Sequence, residues 1–165
     1  MDSTGDAAFA AWAAAQAGGL HRFAYLLCGD WHDAEDLVQE ALAKAALHWK
    51  RIERIEHPDA YVRTILVNQC RSMWRRPWRR AHSSADIELT TPDQADAVAT
   101  HTDLVSALQR LPIRQRATVV LRYYEDLSEA ETATVLGCSV GTVKSQHHKA
   151  LQALKVTMAK EGLRC

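Results

Sequence analysis

The sequence predicts an all-α protein made of two small helical domains joined by a flexible linker. Three observations carry this. Alanine, leucine, arginine and glutamate are plentiful, while glycine (7) and proline (4) are scarce among 165 residues, which is a composition of helix formers. Apolar residues recur three and four apart in several segments, and strand-type alternation is absent. Residues 81–100 are rich in Ser, Thr, Asp and Ala and carry no long apolar stripe, so they read as linker. The boundaries that follow are a domain over 1–80, an acidic linker over 81–101 and a domain over 102–165.

In chain order, a first helix is expected from Asp6 to about Ala17, carrying Phe9 and Trp12. Gly18-Gly19 should interrupt it, because glycine is a poor helix residue. A second helix then runs to Leu27, with Leu20, Phe23, Ala24 and Leu27 on one face. Cys28-Gly29-Asp30 reads as a turn. A third helix runs from about Asp33 to Lys50, its stripe formed by Ala34, Leu37, Val38, Ala41, Leu42 and Ala45. A loop from Arg51 to His57 follows, and Pro58 suits the first turn of a fourth helix that Pro77 stops. Beyond the linker, Leu104, Leu108 and Leu111 mark a short helix before Pro112, and another covers Ile113 to Tyr124. Ser128 with Glu131 forms a capping box, Gly137 ends that helix, and Ser139 caps a last helix running to about Ala159.

Composition excludes several classes. The formal net charge is zero, with 20 basic and 20 acidic residues, but the charges are zoned. Asp30, Asp33, Glu35, Asp36 and Glu40 form an acidic block, and Arg71, Arg75, Arg76, Arg79 and Arg80 a basic one. Such zoning suits partners of both signs. The cysteines Cys28, Cys70, Cys138 and Cys165 are far apart without a CxxC. Buried reduced thiols are therefore expected, and no metal or cofactor site. The eight histidines are scattered, no nucleophile–base spacing recurs, and there is no phosphate-binding glycine loop, so an enzyme is not expected. No apolar run approaches the roughly 20 residues of a membrane helix and no signal peptide opens the chain. A soluble, cytoplasmic protein without membrane insertion is the expectation.

The sharpest local signal is Leu127 to Leu151, LSEAETATVLGCSVGTVKSQHHKAL. Two helices flank a short glycine-containing turn, small Ala133 allows their close approach, and Val140 and Val143 should anchor the second on the first. This is a helix-turn-helix, whose second helix lies in the major groove. That helix should present Thr142, Lys144, Ser145, His148 and Lys149 outward, a mix for phosphates and base edges. A helical hairpin that binds nothing is the bland alternative. His147 falls on the stripe Val140, Val143, His147, Leu151, Leu154, which makes it a semi-buried packing residue rather than a base reader.

Ser139 to Leu151 resembles region 4 of sigma-70-type transcription initiation factors, where the motif is close to S-V-G-T-V-K-S-R-L-H-R-A-L. Gln146 and Lys149 stand where that motif has arginines, and His147 where it has an apolar residue. Ala24 to Trp49, with its D-L-V-Q-E core, resembles region 2.1–2.2. His57 to Arg80 resembles region 2.3–2.4. The two blocks occur in the family's order and cover about residues 10 to 155. The likeness is to the extracytoplasmic-function (ECF, group IV) sigma factors of the short actinobacterial type.

The resemblance implies promoter recognition for core RNA polymerase, which supplies the chemistry. It implies that Glu35, Asp36, Gln39 and Glu40, outside the Leu37–Val38–Ala41 stripe, grip a basic coiled coil of the largest polymerase subunit. It implies that Asn68 and Arg71 face nucleotides of the downstream promoter element as a melted strand, and the arginine line with its interleaved tryptophans adds Arg63, Trp74 and Arg75 as candidate contacts. There Val62, Ile65, Leu66 and Met73 face the core, while Arg63, Val67, Arg71 and Arg75 run along the other side. Arginines four apart repel one another, an anionic partner relieves this, and tryptophans among them can stack on bases. Trp74 fits the core equally well. The Arg51–His57 loop would hold an unstacked base. The upstream element would be bound as duplex by Thr142, Lys144, Ser145, His148 and Lys149. An anti-sigma factor is a common partner in the family. The alternative is a helix-turn-helix regulator that binds duplex DNA without polymerase.

Overall fold

The structure, a computed structural model, describes residues 3–75 and 103–162, and every regular element among these is helical. The linker at 81–101, the stop at Pro77, and Arg76, Trp78, Arg79 and Arg80 lie outside the described residues. The chain divides into two compact units, Met1–Ser72 and Met73–Cys165.

The first unit opens with α1, a single helix from Ser3 to Cys28. Gly18-Gly19 does not interrupt it, against the expectation from propensity. Packing on either side of the pair overrides the local cost. On the amino-terminal side, the Phe9 and Trp12 rings lie 5.3 and 5.0 Å from that of Trp49. On the other side, Leu20, Phe23, Ala24 and Leu27 are buried, with Tyr25, Leu26 and Cys28 buried beside them. Neither glycine is demanded by a close approach: a Cβ on Gly19 would meet nothing within 4 Å. Gly19→Ala is therefore expected to stabilise the unit by about 1 kcal/mol, read as a higher urea midpoint at unchanged m-value. A lower midpoint would mean that the helix does break there in solution.

Gly29 ends α1 at φ 79°, and its N–H donates to the Tyr25 carbonyl at 2.7 Å. Asp30 then caps α2 (Trp31–Leu47), accepting from the Asp33 N–H at 2.9 Å. Ala34, Leu37, Val38, Ala41 and Ala45 are buried, as their spacing predicts, with Leu42 half-buried. Helix α2 packs on α1. It stops earlier than expected, at His48, whose N–H closes a tight turn on the Ala45 carbonyl. A short helix α3 (Trp49–Ile52) follows and buries both its end residues. Arg51 and Ile52 are thus helical rather than loop, and only 53–57 connect to α4 (Pro58–Trp74). Helix α4 buries Val62, Leu66, Val67 and Cys70. Burial pushes the Cys28 thiol up to about 12, which keeps it protonated and unreactive at neutral pH.

The second unit begins with α5, residues 103–109. Its buried residues are Val105, Ala107 and Leu108, followed by Leu111, while Leu104 is exposed. The inward line is therefore one residue away from the start expected for it. Helix α6 (Ile113–Val119) continues into a π-helical turn, Val120–Tyr124. The capping box opens α7 (Glu129–Leu136): the Ser128 hydroxyl accepts from the Glu131 N–H at 3.1 Å, and Glu131 accepts from the Ser128 N–H at 2.7 Å. Gly137 closes α7 at φ 62°, a left-handed cap that a Cβ would strain. Ser139 caps α8 (Val140–Lys160) through the Thr142 N–H. Helix α8 packs on α6 and α7. Val143 and Ala150 are its fully buried residues, and Val140 is exposed rather than anchoring the helix. Val143 and Ala150 define the inward line, and Val140 stands about 60° round the helix from it.

Candidate polymerase and nucleic-acid interfaces

In the first unit, Glu35, Asp36, Gln39 and Glu40 are all exposed, opposite the buried stripe of α2. The cap at Asp30 and the packing on α1 hold this carboxylate–amide face on a rigid element. Glu40 pairs with Lys44 at 2.8 Å across one turn, an exposed contact of little energetic weight. One neighbour escaped the sequence reading. Trp31, the first residue of α2, is 53% exposed, and its ring lies flat on that of Tyr25, 4.0 Å between centroids and 4° between planes.

On α4 the basic line differs from the expected one. Val67 is 1% exposed and belongs to the core, not to the arginine side. The exposed line is Asn68, Ser72 and Arg75, while Arg63, Arg71 and Trp74 flank it half-buried. Arg63 is the most enclosed. Its guanidinium donates to the Asp59 carboxylate at 2.5 Å, and its side chain is 14% exposed. Burial would raise the Asp59 carboxyl, but the Arg63 hydrogen bond and charge, with backbone N–H groups at the start of α4, leave it below the usual carboxylate range.

In the second unit, Lys144, Ser145, His148 and Lys149 are exposed along one side of α8. Thr142 is half-buried and its hydroxyl is engaged with that of Ser139 at 2.9 Å. Lys144 stands 3.7 Å from Glu129 on α7. His147 is half-buried, as its place on the stripe predicts, and its Nε2 lies 2.8 Å from the Tyr123 hydroxyl on the π-helical turn. The main group missed is Arg116. It is 3% exposed and donates to the carbonyls of Leu108, Gln109 and Leu111 at 2.8, 3.0 and 2.9 Å. It thereby caps the carboxy end of α5 from α6, the helix on which α7 and α8 pack.

Among the described residues, no group of three or more His, Cys, Asp or Glu could hold a metal ion. No helix among them is long and apolar enough to cross a membrane.

A helical unit with an exposed acidic helix, followed by a unit with a capped helix-turn-helix, defines a two-part DNA-recognition protein. Family profiles agree unit by unit. Sigma-70 region 2 matches residues 13–80 and sigma-70 region 4 matches residues 101–154. The chain is 38% identical over 147 residues to the RNA polymerase sigma-E factor of Streptomyces coelicolor, covering 87% of this chain and 82% of that protein. It is 34% identical over 150 residues to the ECF RNA polymerase sigma factor SigL of Mycobacterium tuberculosis, covering 87% and 85%. Among solved structures it resembles the sigma factor RpoE of Bartonella quintana, in complex with the anti-sigma factor NepR, at TM-score 0.73 and 29% identity over 92% of this chain and 96% of that one. The chain belongs to the sigma-70 family of RNA polymerase sigma factors, in its ECF group.

Proposed function

We propose that this sigma factor directs core RNA polymerase to specific promoters by dividing the task between its two units. The single observation that carries this is the presence, in one chain, of an exposed carboxylate–amide face on α2 and a capped helix-turn-helix with an exposed polar side on α8. Residues 1–80 dock on polymerase through Glu35, Asp36, Gln39 and Glu40. They receive the melted downstream element along α4 through Asn68 and Arg75, with Arg63, Arg71 and Trp74 beside them. Residues 102–165 bind the upstream element as duplex through Thr142, Lys144, Ser145, His148 and Lys149, and residues 81–101 join the two. The protein acts as an initiation factor without a reaction of its own, and its place of work is the cytoplasm. An anti-sigma factor is a further partner, supported by the Bartonella quintana relative, which was solved with one.

A gel shift on promoter DNA, with and without core polymerase, tests this. The chain is expected to shift the promoter only together with core, and run-off transcription should follow. A shift by the chain alone, without dependence on core, would instead make it a stand-alone regulator.

The two sides of α8 residue chemistry separate in a second measurement. Lys144→Ala or Lys149→Ala is expected to weaken promoter binding by the holoenzyme across many upstream sequences. Each should also reduce the salt slope by about one ion. Ser145→Ala or His148→Ala is expected to alter sequence preference instead. A uniform loss from all four changes would mean that α8 reads only the backbone.

A further inference from the structure

A tryptophan that is 53% exposed at the start of a helix is an unusual expense of apolar surface. Trp31 is not loose. Tyr25, itself only 7% exposed, covers one face of the indole in a parallel stack at 4.0 Å. The opposite face is left to solvent in a fixed orientation. The ring also continues a line on α2. Trp31, Glu35 and Gln39 are spaced four apart, so they follow one another along one side of the helix at about 6 Å per turn. Glu35 and Gln39 are exposed. An aromatic face, a carboxylate one turn along and an amide one turn beyond it make a surface with two complementary demands. The ring attracts a cation through its π-face, and the carboxylate accepts N–H donors.

A guanidinium group meets both at once. It is planar, so it lies flat on the indole, and its fork of N–H donors points outward from that plane edge toward a carboxylate. An ammonium is a compact, strongly hydrated charge and meets only one of the two demands well. The partial positive charge at the start of α2 opposes any cation there, but it amounts to roughly half a charge. The full charges of Asp30, Asp33, Glu35 and Asp36 within the first two turns outweigh it.

We propose that Trp31 is an arginine platform: the open face of its indole, with the Glu35 carboxylate, takes a guanidinium group from the surface of core polymerase that docks on α2. This rests on the reading of α2 as the polymerase-binding helix and extends that face by one turn toward its start. The platform rewards an arginine at one point of the partner's surface, and so contributes specificity that the carboxylates alone do not supply.

The test is titration of core polymerase with the full chain, in three forms: wild type, Trp31→Leu and Trp31→Phe. Circular dichroism on each chain checks that the helices remain. Trp31→Leu keeps apolar bulk and removes the π-face, and is expected to weaken binding about tenfold. Trp31→Phe keeps a π-face that can still stack on Tyr25, and should stay within about threefold of wild type. Binding by Trp31→Leu equal to wild type would reduce the ring to an apolar or idle surface and overturn the platform. Equal losses from Leu and Phe would overturn it as well, since the aromatic face would not be what counts. A wild-type chain that does not bind core at all would overturn the polymerase reading itself, and the platform with it. Wild-type binding with an unaffected Trp31→Leu overturns the platform alone.

Discussion

Arg116→Met is expected to cost the second unit about 4 kcal/mol, most or all of the stability a helical unit of this size has. The guanidinium is buried and donates to three carbonyls, those of Leu108, Gln109 and Leu111. Those carbonyls sit at the carboxy end of α5, where a helix has acceptors without intrahelical partners and a partial negative charge. Met fills much of the volume but removes the donor to all three, of which the Leu108 carbonyl keeps another, the Leu111 N–H at 3.0 Å. Hydrogen bonds to charged groups are the stronger class, and a buried acceptor left unsatisfied costs its full desolvation. Arg116→Lys should recover less than half of the loss, because one ammonium cannot span three carbonyls as a guanidinium fork does. Amide hydrogen exchange over residues 103–162 should accelerate to the rate of an unfolded chain. Protection of that segment equal to wild type would show that Arg116 fills space and nothing more.

Arg116 also marks where sequence reasoning runs out. The features that were legible are local ones. The stripe from Ala34 to Ala45 is written in three-and-four spacing, and all but the half-buried Leu42 are buried. The Ser128–Glu131 box and the Gly137 cap each depend on a few consecutive residues, and both form as read. The features that were missed depend on contacts between elements, which the spacing within one helix does not show. An arginine between Gln115 and Ala117 looks like a solvated residue until the end of α5 is brought against it. Gly18-Gly19 looks like a break until Trp49 and the Leu20–Leu27 stripe hold the helix from both sides. Val67 shares a spacing of four with Arg63 and Arg71, which suggested one exposed line. Burial of Val67 shows that the helix presents Asn68, Ser72 and Arg75 instead. Of the candidate contacts, those on α2 and four of the five on α8 lie exposed as their spacing suggested. On α4 only Asn68 and Arg75 do.

The pair Asp36→Ala and Gln39→Ala is expected to weaken binding to core polymerase by about 3 kcal/mol, roughly two powers of ten in Kd. The size follows from what these groups become on docking. Both are exposed on α2, and neither has a side-chain hydrogen bond or ion pair among the described residues. They therefore enter an interface with no bond to another described residue that must be broken first. Removing them leaves the donors of a basic partner surface desolvated and without acceptors, a loss charged to the complex alone. The free protein should not suffer. Alanine is the better helix residue at both positions, so the urea midpoint of the first unit should hold or rise slightly. Salt separates this from an apolar effect. Wild-type affinity should fall as ionic strength rises, because exposed charges are screened within about 10 Å at 0.1 M salt. The double variant should show a shallower dependence. Lys44→Ala is the counter-test. It removes the cation that pairs with Glu40 at 2.8 Å and leaves that carboxylate more available to a basic surface, so core binding should hold or tighten. Equal affinity of the double variant and wild type for core polymerase, at low salt and with intact helices, would make this face of α2 a solvated one and move the polymerase contact elsewhere on the unit.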